Sequence, residues 1–144
     1  MSLKVELKPG ERLIVGNCVI TNSDQRTRLF IDGAAPILRE KDILTEETAN
    51  SPAKRIYFAV QLMYLDGAVE KLRTEYFTLI NDLIAAAPSA IGFVDQINNE
   101  ILTGSLYKAL KAARKLIQYE EGLIANATKR DSSLSADGEE DSLP

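Results

Sequence analysis

The sequence predicts an α+β fold in which a small antiparallel β-sheet or barrel comes first and four helices follow, and three observations predict it. Short apolar runs separated by turn residues fill residues 1–44. Apolar residues then recur at helical spacing from residue 45 to about 124. The change from one pattern to the other happens once, without the strand–helix alternation that builds parallel βαβ units. The reading divides the chain into a β subdomain at 1–44, a helical subdomain at 45–128 and an acidic tail at 129–144 that is expected to be disordered.

The strands come first. Leu3, Val5 and Leu7 alternate with Lys4, Glu6 and Lys8, the mark of a strand buried on one face. Pro9-Gly10 supplies a tight turn, and Gly16-Asn17 between Leu13-Ile14-Val15 and Cys18-Val19-Ile20 is a two-residue hairpin signal. Taken together, the segment from Leu3 to Thr21 reads as a three-stranded meander. After the turn cluster Asn22-Ser23-Asp24-Gln25, the run Thr27 to Ile31 reads as a fourth strand. Asp32-Gly33 is a further turn, and Pro36 to Glu40 an edge strand that tolerates its leading proline.

The helices follow. Ser51-Pro52 pairs a good N-cap with a residue suited to the first helical position, and Asp66-Gly67 ends the helix that begins there. Its apolar residues Ile56, Phe58, Val60, Leu62, Met63 and Leu65 spread around much of the circumference, so it is expected to be central. A second helix is predicted over 69–86 and stopped by Pro88, a third over 89–102, and a fourth from Leu106 to about Ile124 after the Thr103-Gly104-Ser105 break.

Composition excludes several chemistries. The chain has no histidine and one cysteine, which removes the commonest general base, the commonest zinc ligand and any intramolecular disulfide. Cys18, in an apolar run, is expected in the core. The carboxylate pairs Glu46-Glu47, Glu120-Glu121 and Glu139-Glu140 are neighbours in sequence and read as solvated charge. Neither GxGxxG nor GxxxxGK[ST] occurs, so no phosphate-cradling loop is predicted. No metal site, cofactor or catalytic residue is expected, and an enzyme is not. No apolar run reaches the roughly 18 residues of a membrane span, and the N-terminus has no hydrophobic signal segment, which points to the cytoplasm.

The charge is unevenly placed. Of the net −4, residues 131–144 carry five carboxylates and no cation, while 45–130 balance ten against ten and 1–44 carry seven cations against six carboxylates. The low isoelectric point therefore belongs to the tail and does not bar the folded part from binding polyanions. Two candidate basic sets result. Lys108, Lys111 and Lys115 fall on one stripe of the fourth helix with Arg114 beside them, and Lys4, Lys8, Arg12, Arg26, Arg28 and Arg39 lie on the short strands. The plain alternative for both is a solvated surface.

The motifs Leu7-Lys8-Pro9-Gly10-Glu11-Arg12, Gly16-Asn17 with Val19-Ile20, 38–44 and above all Ser51-Pro52-Ala53-Lys54-Arg55-Ile56-Tyr57-Phe58-Ala59-Val60-Gln61-Leu62-Met63 resemble, in order and spacing, the FlbT family of bacterial flagellin regulators. The resemblance covers about residues 3–125. It implies a cytoplasmic, non-enzymatic protein that acts on the leader of flagellin messenger RNA and changes its translation or lifetime, with the small protein FlaF as partner. In the β half alone, Gly10-Glu11, Val15-Gly16-Asn17, Ala35-Pro36 and Arg39-Glu40 are similar in spacing to the carbon storage regulator CsrA, a dimeric β-protein that binds RNA leaders. That likeness implies an RNA surface at Leu3, Lys4, Val5 and Arg39, although the segment from Pro36 to Arg39 is shorter here.

Two functions follow as expectations. One is an RNA-binding regulator that uses the basic sets. The other is an adaptor or chaperone that grips FlaF or flagellin instead of RNA, with Tyr57, Phe58 and Gln61 of the first helix as the docking residues. Open strand edges in so small a sheet also lead us to expect a homo-oligomer.

Overall fold

A computed structural model describes residues 2–136, with side chains described through residue 127. Five strands, β1 (Ser2–Leu7), β2 (Arg12–Val15), β3 (Cys18–Thr21), β4 (Thr27–Asp32) and β5 (Ile37–Arg39), precede four helices, α1 (Pro52–Asp66), α2 (Val69–Ala86), α3 (Ile91–Leu102) and α4 (Leu106–Ala136). The α+β class and its strands-first order are those the sequence predicts.

The strands form two antiparallel sheets. One pairs β1 with β4, and the other has the order β3-β2-β5. The expected meander is therefore corrected: β2 and β3 form the Gly16-Asn17 hairpin with Val15 opposite Cys18, but β1 pairs with β4. Pro9-Gly10 acts as a corner between sheets. Gly10 takes the positive φ of 75° that this corner requires, and its N–H donates to Ser23 C=O at 2.8 Å. Asn22 braces the corner from outside, its side-chain amide donating to the carbonyls of Lys8 and Gln25.

Alternation then sorts the side chains into layers. Val5 and Leu7 of the first sheet meet Leu13 of the second in a small core, flanked by Val15, Leu29, Ile31 and Ile37. The opposite face of the second sheet turns to the helices, where Leu38 is buried and Ile14 packs against the main core. The helices thus cover the sheet and are not a separate bundle. Cys18 corrects another expectation: β3 is an edge strand, all four of its residues are exposed, and Cys18 with them.

The helix signals resolve as read. Ser51 caps α1 by accepting from Lys54 N–H, and Gly67 ends it in the left-handed region at φ 68°. Burial of Ile56, Val60 and Met63 sets α1 at the centre, between α2, α4 and the sheet. Leu83, Ile80 and Tyr76 of α2, Val94 and Ile97 of α3, and Ala109, Leu110, Ala113 and Leu116 of α4 complete the core. A single 3-10 turn at Pro88–Ala90 precedes α3, which begins two residues later than the spacing predicts. The fourth helix continues past Ile124 to Ala136. Ala125-Asn126-Ala127 offers no proline or glycine stop, and a helix once formed adds a hydrogen bond with each residue. Part of the expected tail is thus helical, and residues 137–144 lie outside the described residues.

Candidate nucleic-acid interface

The chain from Ile37 to Leu44 crosses over α1, and three polar side chains of that helix hold it there. The Tyr64 hydroxyl accepts from Ile37 N–H at 3.0 Å and donates to Ile37 C=O at 3.1 Å. Gln61 does the same one turn earlier, its amide accepting from Leu44 N–H and donating to Leu44 C=O, both at 2.9 Å. The Tyr57 hydroxyl donates to Asp42 C=O at 2.5 Å. Spacing of three and four residues puts these groups on one face of α1. Tyr64 thus covers the open edge of β5, and Gln61 and Tyr57 stand in for the strand partner that the segment after it lacks.

That clamp corrects the docking assignment. Tyr57 and Gln61 are only 3% and 4% exposed, and their polar atoms are used on the backbone. Phe58 is partly buried. A partner has no access to Tyr57 or Gln61, because the broad apolar surface of α1 is the core of the protein.

Above the clamp, two depressions adjoin between the strands and α4. One, of about 500 Å³, is lined by Leu3, Lys4, Ile37, Arg39, Tyr64 and Tyr107 among others. The second, of about 310 Å³, is lined by Tyr57, Tyr107, Lys111, Arg114, Lys115 and Gln118. Leu38, Asp42 and Tyr107 line both, so the two form one cleft. It brings together members of both basic sets, Lys4 and Arg39 from the strands with Lys111, Arg114 and Lys115 from α4. Leu3, Lys4, Val5 and Arg39, the positions suggested by the CsrA-like spacing, all line the first depression.

The cations divide by what already holds them. Arg114 turns inward, pairs with Asp42 and donates to the Tyr57 hydroxyl at 3.3 Å. Burial alone pulls its guanidinium down, but those two partners outweigh burial and hold its pKa above the ordinary value. Burial in turn raises the Tyr57 phenol, although Arg114 beside it works the other way. Tyr64 is raised by burial too. Arg39 bridges the two sheets, its Nη2 donating to Glu6 C=O at 3.0 Å and lying 3.9 Å from the Glu11 carboxylate. Its Nε is buried with no partner among the described residues. Arg39 and Arg114 are therefore structural as well as basic.

Lys4, Lys111 and Lys115 are exposed and free of ion pairs among the described residues. Lys111 reaches over the Tyr107 ring, its Nζ 5.1 Å from the centroid. Lys108 lies outside the cleft in a shallower hollow beside Tyr107 and Ala34-Ala35-Pro36. The remaining strand cations are not gathered here. Arg28 pairs with Glu6 at 3.2 Å across the β1–β4 sheet, while Lys8, Arg12 and Arg26 are exposed and absent from the cleft walls.

Aromatic residues are what sequence reasoning missed. Tyr64 and Tyr107 meet with ring centroids 5.8 Å apart, and Phe30, opposite Lys4 on the outer face of the β1–β4 sheet, is 66% exposed. The strand period could have found Phe30, because it falls in phase with Arg28 and Asp32 on the polar face. Nothing local marks Tyr107. Among the described residues no three His, Cys, Asp or Glu side chains come together as a metal site, and no helix is long and apolar enough to cross a membrane.

Comparison with known proteins adds the following. Residues 3–124 match the family model described as flagellar protein FlbT. A probable flagellum biosynthesis repressor protein FlbT 1 of Bradyrhizobium diazoefficiens is 61% identical over 124 residues, 85% of each chain. A probable flagellum biosynthesis repressor protein FlbT of Rhodopseudomonas palustris is 54% identical over 125 residues, 87% of this chain and 99% of its own. The flagellum biosynthesis repressor protein FlbT of Caulobacter vibrioides is 36% identical over 142 residues, 96% of this chain and 99% of its own. No solved structure matches.

Proposed function

The chain belongs to the FlbT family of flagellar proteins, and from that premise we propose that it is a non-enzymatic, cytoplasmic repressor of flagellum biosynthesis that binds the leader of flagellin messenger RNA and alters its translation or stability. The names of its relatives support a regulatory role in flagellum biosynthesis. The observation that carries the RNA reading is the cleft, where Lys4 lines one depression with Tyr64 and Tyr107 while Lys111 and Lys115 line the adjoining one with Tyr107. Cations track phosphates, and aromatic faces take bases. The test is a salt titration of leader affinity. Three phosphate contacts to a single strand, one for each of these lysines, give log K against log salt a slope of about −2, and Lys111→Gln with Lys115→Gln lowers its magnitude by about 1.4. A salt-independent affinity, or a double variant indistinguishable from the parent, overturns the assignment.

A second reading, an adaptor for FlaF or flagellin, has its own surface. Met63, Val69, Tyr76, Phe77, Ile101 and Leu102 line a groove of about 120 Å³ where α1, α2 and α3 meet, with Phe77 44% and Leu102 76% exposed. Its one cation, Arg73, lies 3.6 Å from the Glu70 carboxylate, so this surface suits the apolar ridge of a partner helix and not a phosphate chain. RNase treatment of a complex purified with FlaF separates the readings: assembly indifferent to RNase, with no salt-sensitive leader binding by the free protein, favours the adaptor. Self-association belongs to either reading, and β3, an uncharged and exposed edge, is its candidate seam. Light scattering should show a dimer that Val19→Lys converts to a monomer.

A further inference from the structure

Tyr107 occupies an unusual place. It lines both depressions of the cleft and the shallower hollow beside it, so its ring stands where all three meet. Tyr107 is 48% exposed, although it sits in the first turn of a long helix whose next turns are firmly packed through Ala109, Leu110 and Ala113. Tyr64 backs it at a tilt of 46°, and the Tyr64 hydroxyl, tied to both backbone groups of Ile37, keeps that support from swinging away. Lys111, one turn along α4, holds its ammonium over the same ring.

We propose that Tyr107, backed by Tyr64 and flanked by Lys111, is a stacking platform for an unpaired base, so that the cleft takes single-stranded RNA and rejects duplex. The inference rests on the RNA-binding reading above and narrows it to one class of RNA and one anchoring residue. A base within an A-form duplex has both faces covered by its neighbours, and an aromatic ring recessed in a cleft cannot reach them. An unpaired base offers a free face. Its flanking phosphates then lie within the field of Lys111 and Lys115 on one side and Lys4 on the other, the three cleft cations without an ion-pair partner among the described residues.

The test uses the full chain, a labelled segment of the flagellin leader in single-stranded form, and the same segment annealed to its complement, read by fluorescence anisotropy. The parent protein should prefer the single strand. Tyr107→Ala should weaken single-strand binding roughly 5- to 150-fold, the span that stacking of one base gives, while Tyr107→Phe keeps it. Circular dichroism of each variant checks the fold, and Lys111→Gln, on an exposed position, gives a second reading that does not alter the aromatic wall. Equal affinity for duplex and single strand, or undiminished single-strand binding by Tyr107→Ala, overturns the platform and leaves RNA binding standing. Binding of neither RNA by the parent overturns the RNA reading itself.

Discussion

Replacing Gln61 by leucine removes the tie between α1 and the chain that leads from the sheet to the helices. Tyrosines aside, Gln61 is the one buried polar side chain among the described residues, and its amide holds both the N–H and the C=O of Leu44 at 2.9 Å. Leucine fills nearly the same volume and makes neither bond. Each orphaned backbone group costs about 1–3 kcal/mol when water cannot reach it, and Leu44 is only partly buried, so the pair costs about 3 kcal/mol. The better burial of an apolar side chain returns about 1 kcal/mol, leaving a net loss of about 2 kcal/mol. With a urea dependence of about 1.5 kcal/mol per molar, the unfolding midpoint should fall by about 1.3 M with an unchanged slope. A shift under about 0.3 M would show that Gln61 is a passive filler, and that the clamp on residues 37–44 is held by Tyr57 and Tyr64 alone.

Two further outcomes follow from the same packing. Glu120 of α4 accepts from the Ser51 hydroxyl at 2.5 Å and from Ala53 N–H at 2.9 Å, so it caps the first turn of α1 from a neighbouring helix; Glu120→Ala should cost about 1–2 kcal/mol in the same urea assay. Tyr57, Tyr64 and Tyr76 all have raised pKa values, chiefly from burial. The folded state therefore keeps protons that the unfolded chain gives up near pH 10, so this contribution is whole below pH 10 and is lost as pH rises through the folded values. Phenolate absorbance of these tyrosines should rise together with the loss of helical circular dichroism. Their ionisation while the helix signal stays intact would contradict the burial argument.

Local chemistry made the helices legible. Ser51-Pro52 and Asp66-Gly67 carry their own start and stop, and Gly16-Asn17 fixes its hairpin within four residues. Pairing at a distance was not legible, since nothing near Leu3 or Leu7 says that the partner is β4 and not β2. Cys18 shows the limit of an apolar run as a sign of burial, because an edge strand and a buried strand read alike. The site was half visible. Spacing on α4 placed Lys108, Lys111 and Lys115 on one stripe with Arg114 beside them, but only the fold shows that Arg114 joins Asp42, 72 residues earlier in the chain. The same distance problem hid the meeting of Tyr64 with Tyr107 and gave Tyr57 and Gln61 the look of a docking face when they are clamps.

Photocrosslinking of the flagellin leader to the full chain, with the modified peptides identified by mass spectrometry, tests the central claim most directly. The account predicts adducts on the cleft walls, at Tyr107 and Lys111 of α4 and at Lys4 of β1. Adducts confined to the Phe77 and Leu102 groove, or to the turn carrying Arg26, with the cleft unmarked, would contradict it.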